Sequence, residues 1–117
     1  MPYPYPYMSN DAPNLIWIDC EMTGLDLNRD VLVEIAVLVT DSQLNVLGEG
    51  VDLVIRATDE QLAGMNDFVR QMHTDSGLIT EIPGGVELED AQAQILAYLN
   101  KYAPGACLLY TSDAADE

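Results

Sequence analysis

Positive charge is nearly missing from this sequence: four Lys and Arg stand against 20 Asp and Glu, a formal net charge of -16 over 117 residues. Gripping long nucleic acid by its phosphates takes rows of basic side chains, and four cannot supply them. Long hydrophobic runs are missing too, so no segment approaches the ~20 apolar residues of a membrane span. The first residues lack the basic-then-apolar pattern of a secretory signal, which makes the cytoplasm the expected compartment. Cysteine is scarce, with only Cys20 and Cys107, and in that compartment both are expected to stay reduced. What is present is globular in character: 49% hydrophobic and 21% charged residues, in a length that allows one small domain and falls short of most α/β enzymes.

The chain opens on Met1 to Tyr7, an alternating Pro-Tyr repeat with no means of making a core, followed by polar residues to Asn14. Residues 1–14 are therefore expected to be a disordered tail, with Met1 and Met8 both open as the true start. A first strand is expected over Leu15 to Asp19, and a second over Val31 to Val39, buried on both faces except at Glu34. Asp41 to Asn45 carries the turn residues of a hairpin into a third strand, about Val46 to Ile55. Thr58-Asp59-Glu60 opens a helix with a capping hydroxyl, and Asn66-Asp67 opens another that stops near Ser76-Gly77. After Pro83-Gly84-Gly85, a helix is expected from Leu88 to Tyr102, with Leu88, Ala91, Ile95, Tyr98, Leu99 and Tyr102 on its apolar face.

Within the first strand, Asp19 and Glu21 stand one residue apart, so alternation puts both carboxylates on one sheet face. Two like charges that close repel unless a cation neutralises them. Their hard oxygens favour magnesium or manganese over zinc. A bare D-x-E is common at solvated strand ends; here it follows four β-prone residues and precedes a Thr-Gly turn, the setting of a metal site at a sheet's edge. Cys20, between them, is expected to point the other way and behave as a small apolar residue. Glu34 interrupts an apolar strand and has no assigned role.

The stretch Ile16-Trp17-Ile18-Asp19-Cys20-Glu21-Met22-Thr23-Gly24-Leu25-Asp26 resembles the first motif of the oligoribonuclease family of DEDDh 3'-to-5' exonucleases. Similar stretches follow at Val33-Glu34-Ile35-Ala36, Val39-Thr40-Asp41-Ser42, Leu44 to Gly50 and Met72-His73-Thr74-Asp75-Ser76-Gly77-Leu78, the match running from about Leu15 to Gly105. The resemblance implies an α/β, ribonuclease-H-like mixed sheet with flanking helices, truncated after its first three strands and the following helices. It implies removal of 5'-mononucleotides from short single-stranded RNA with two divalent cations, Mg2+ or Mn2+, and such small substrates suit an acidic chain. Asp19 and Glu21 match the first two metal ligands and are the catalytic candidates; the third acid, the general-base His and the last acid belong to later motifs. Met22, Thr23, Leu25, Phe68 and His73 match substrate contacts: Leu25 the apolar wedge between bases, Phe68 a stacking position where relatives usually carry Trp, and His73 a contact to the terminal phosphate. A lone His is otherwise usually structural, Phe68 ordinary helix core, and a loop leucine a local packing residue. Family members are homodimers, but much of that surface belongs to the absent part, so this chain is not expected to dimerise. The alternatives are another DEDDh exonuclease of the proofreading type, against which the His73 to Leu78 element speaks, and a non-catalytic metal-binding or interaction module.

After Ala106 the resemblance ends. Cys107 to Glu117 is what the genetic code gives for a transposase-adapter sequence used in making sequencing libraries, so residues 107–117 are expected to be translated adapter after a partial exonuclease domain, 15–106. Only Asp113, Asp116 and Glu117 among the acids fall in that tail, so the acidity belongs to the domain.

Overall fold

The computed structural model describes residues 13–105; the expected adapter tail and all of the expected amino-terminal tail except Pro13 and Asn14 lie outside them. The elements run β1 (Leu15–Met22), β2 (Leu32–Thr40), β3 (Val46–Val54), α1 (Asp59–Ala63), α2 (Asp67–Asp75), α3 (Leu78–Glu81), a short 3-10 turn (Ile82–Gly84) and α4 (Leu88–Tyr102). The strands form one sheet in the order β1-β2-β3, both pairs antiparallel. Parallel pairing enters where Ile55 bridges to Val86. Gly85 makes this approach possible, since a Cβ there would stand 2.7 Å from the Val54 carbonyl oxygen.

β2 is the middle strand and divides the core. Val33 packs with Ala57, Leu78 and Ile82 beneath the short helices. Val37 and Val39 pack with Tyr98 and Ala103, and with Ile95 and Leu99, beneath α4. These are odd positions of one strand, so all project to the helix-covered face. The even positions Glu34, Ala36 and Leu38 are only half-buried, which corrects the expectation of a strand buried on both faces. The described helices lie on one side, and the sheet's other face is open.

Two further boundaries differ from the sequence reading. β1 continues three residues past Asp19, because Asp19, Cys20 and Glu21 find ladder partners in Ala36, Ile35 and Glu34. The acidic pair therefore lies inside the strand, and a register shift follows at Glu21/Met22. Leu88, assigned to the apolar face of α4, is 46% exposed, while Ala91 and Tyr98 are buried.

Local capping accounts for the starts of α1 and α2. The Thr58 hydroxyl and Gln61 side chain form a reciprocal capping box at α1. The Asn66 side chain accepts the Val69 N–H at α2, and Gly77 takes the left-handed conformation (φ 85°) that ends it. In β3, Leu38 of β2 faces a bulge of Gly48, Glu49 and Gly50, with both glycines at positive φ. The Tyr98 hydroxyl spans this region, donating to the Leu47 carbonyl at 2.7 Å and accepting the Val39 N–H at 2.9 Å. At the open end of α4, Asn14 Nδ2 donates to the Tyr102 carbonyl at 2.8 Å.

Candidate functional site

Asp19 and Glu21 project from the open face of β1, opposite Ala36 and Glu34. Asp19 is exposed and Glu21 half-buried. Glu34 adds a third carboxyl beside them: its hydrogen bond to Asp52, partial burial and the charges of Asp52, Glu21 and Glu81 push it up to about 7. Like charges gathered on one face repel, and each makes its neighbours harder to ionise. Asp19 and Glu21 are hard oxygen donors on one strand face and suit a hard divalent ion. They make only part of a site, because among the described residues no group of three or more His, Cys, Asp or Glu is placed to hold a metal ion.

Beyond β1 the chain turns through residues 23–30, and a groove of about 380 Å³ opens between this turn and α2. Glu21, Met22 and Leu25 line one side, and Phe68, Val69 and Met72 the other. Leu25 and Phe68 are 85% and 75% exposed, respectively, so neither serves the core. Four of the residues singled out from the sequence are therefore brought to one place. Asp19 borders a neighbouring shallow depression on the sheet face with Trp17, Leu38 and Asp52.

The remaining two lie underneath. Thr23 is 1% exposed; its hydroxyl donates to Asp30 Oδ1 at 2.9 Å and accepts the Val31 N–H at 3.0 Å. His73 is also 1% exposed, with Nε2 donating to the Met22 carbonyl oxygen at 2.8 Å. In this structure both support the backbone that carries Met22 and Leu25. Cys20, half-buried, points to the helix side, and burial, then the charges of Asp19 and Glu21, push its thiol up and keep it protonated. Asp30, not singled out from the sequence, stands at the centre of the turn: its Oδ2 accepts the Asp26 N–H at 2.9 Å. That hydrogen bond, with help from Thr23 and Arg29, holds its carboxyl below the usual carboxylate range.

A family model described as Exonuclease matches residues 16–111. The chain belongs to the exonuclease family. Among curated relatives of this exonuclease, the oligoribonuclease of Leifsonia xyli is 57% identical over 99 residues, which cover 85% of this chain and 48% of the relative. The oligoribonucleases of Streptomyces coelicolor and Streptomyces griseus are 58% and 60% identical, each over 88 residues covering 75% of this chain and 44% of the relative. The chain thus spans less than half the length of these relatives. Its fold resembles that of E. coli exonuclease I, solved in complex with a 5cy-dA13 oligonucleotide, with a TM-score of 0.56 and 24% identity over 74% of this chain and 18% of that one. The architecture is the ribonuclease-H-like α/β fold. No helix among the described residues is long and apolar enough to cross a membrane.

Proposed function

We propose that this chain carries the first half of a 3'-to-5' exoribonuclease that degrades short oligoribonucleotides to 5'-mononucleotides. The observation that supports this most is that Glu21, one of the acid pair on β1, lines a groove flanked by the exposed Leu25 and Phe68, with Asp19 on the same strand face beside it. A Leu edge and a Phe face suit the two sides of an unstacked base, and base stacking tolerates any base identity. Asp19 and Glu21 would hold divalent cations, Mg2+ or Mn2+, which when bound stabilise the attacking and leaving oxygens at phosphorus. The carboxylates fix the scissile phosphate relative to the base held between Leu25 and Phe68, so the groove selects the end of a strand. Four basic residues in the whole chain leave little to grip a long one. A cytoplasmic setting and a homodimer for the complete enzyme belong to the same reading.

Taken alone, this chain binds metal and nucleotide without turnover, because two carboxylates leave the cation site incomplete. Two experiments test the reading. A chimera in which residues 15–105 replace the matching segment of the Streptomyces coelicolor oligoribonuclease should release mononucleotides from the 3' end of diribonucleotides, and lose that activity on Asp19→Ala or Glu21→Ala. Preference for long strands over dinucleotides would point instead to a proofreading-type exonuclease. Dinucleotide hydrolysis by the isolated chain that disappears on Asp19→Ala would overturn the claim that it is inactive alone.

A further inference from the structure

Leu25 sits on a turn and is 85% exposed, so its own side chain has little packing to fix it. Its position relative to Phe68 depends on the backbone from Met22 to Asp26, and that backbone is anchored in an unusual way. The Asp30 side chain is only 4% exposed. One of its oxygens accepts the Thr23 hydroxyl and the other the Asp26 N–H, both at 2.9 Å, so a single carboxylate ties down the residues on either side of Gly24-Leu25. Arg29 adds a longer contact at 3.4 Å. Thr23 is further paired through its backbone N–H to the Val31 carbonyl at 3.0 Å.

Gly24 records how tightly the carboxylate is seated. It is not among the glycines with positive φ, so no backbone conformation demands a glycine there. A Cβ at this position would overlap the Asp30 carboxylate, coming within 2.8 Å of its Cγ. The missing side chain makes room for Asp30. A buried carboxylate is a costly way to hold a turn whose outward residues make so little core contact. What it holds is the backbone that carries Leu25, across the groove from Phe68.

We propose that Asp30 is a positioning residue for nucleotide binding: it sets the Met22 to Asp26 backbone so that Leu25 and Phe68 stand at the spacing of a single base. The inference rests on the groove's being a nucleotide site. Asp30 itself touches no ligand and leaves the cation-binding carboxylates of β1 alone.

The test uses the chain with a 5'-phosphorylated diribonucleotide in the presence of Mg2+, and with Mn2+ alone, both by calorimetry. Asp30→Ser should weaken dinucleotide binding about tenfold or more, as small misplacements of binding groups do, while Mn2+ affinity changes less than about twofold. Gly24→Ala should weaken dinucleotide binding comparably in the native background and cost nothing further in the Asp30→Ser background, where the methyl group has space. Unchanged dinucleotide affinity in Asp30→Ser, or additive losses in the double variant, would overturn the proposal. So would a joint collapse of Mn2+ binding and amide dispersion in Asp30→Ser, which would make the carboxylate a determinant of the fold. If the unsubstituted chain binds Mn2+ but no dinucleotide, the groove's assignment fails and this inference falls with it.

Discussion

Glu34 lies directly across the β1-β2 ladder from Glu21, with Asp52 and Glu81 close by. Its carboxyl shares a hydrogen bond with Asp52 and is pushed from 4.5 to about 7. In the unfolded chain these neighbours disperse and the pKa returns to its ordinary value. Between the two values the folded state therefore holds a proton that the unfolded state has released, and stability falls as pH rises. The contribution is complete below the unfolded pKa and gone once pH has passed the folded one. In chelator-treated buffer, the thermal midpoint should be higher near pH ~5 than near ~7.5, and Glu34→Gln, which keeps a donor toward Asp52 without a titrating proton, should flatten the difference. An identical pH slope in the two proteins would remove Glu34 as its source. At this scale the sequence was legible wherever local geometry sufficed. Strand alternation alone puts Asp19 and Glu21 on one face and Cys20 on the other. The partners of Glu34, Thr23 and His73 lie 18, 7 and 51 residues away in the chain, at Asp52, Asp30 and Met22, and no spacing rule announces them. Asp30 escaped for the same reason, although the Thr-Gly pair ahead of it was the one available hint that something approached closely.

Among the elements, α4 packs on the sheet through its apolar face and adds to that contact the hydroxyl of Tyr98. Tyr98 is 8% exposed, and its OH satisfies the Val39 N–H and the Leu47 carbonyl beside the β3 bulge. Tyr98→Phe keeps the ring and its packing against Tyr102 but leaves both backbone groups without that partner. The expected loss is about 1–3 kcal/mol, the cost of unsatisfied buried polar groups. It should appear in urea titrations as a lower midpoint with unchanged slope, since the exposed surface on unfolding is the same. A midpoint equal to that of the unsubstituted protein would show that water replaces the hydroxyl. The elements that the sequence revealed are those with repeated signals: α4 matches its expected bounds, Leu88–Tyr102, and α1 and α2 start where their caps predict. α3 has four residues, too few for a helical period to register, and its start at Leu78 has no capping side chain. The end of β1 was misplaced because Asp and Glu are poor strand formers, whereas the ladder offered by β2 overrides that preference.

For the whole molecule, two forces oppose each other at β1. It is an edge strand among the described residues, with Trp17 and Ile18 49% and 46% exposed, and its outer N–H and C=O groups offer a template for another strand. Against this stands a net charge of -16, which keeps copies apart. Charge repulsion acts through solvent and shrinks with a Debye length of about 8 Å at ~0.15 M salt and ~3 Å at 1 M, whereas strand pairing and apolar burial are barely screened. Pairing should therefore win as salt rises. Sedimentation velocity at increasing NaCl is expected to show concentration-dependent association. Ile18→Lys, which places a solvated charge on the exposed edge, should suppress the association even though it lowers the net charge that repels. That opposition of signs makes the variant informative: if bulk repulsion alone governed the protein, Ile18→Lys would associate more readily than the native chain. A monodisperse monomer at every salt concentration would show that β1 is sufficiently protected by its own acids, Asp19 and Glu21, to need no covering strand.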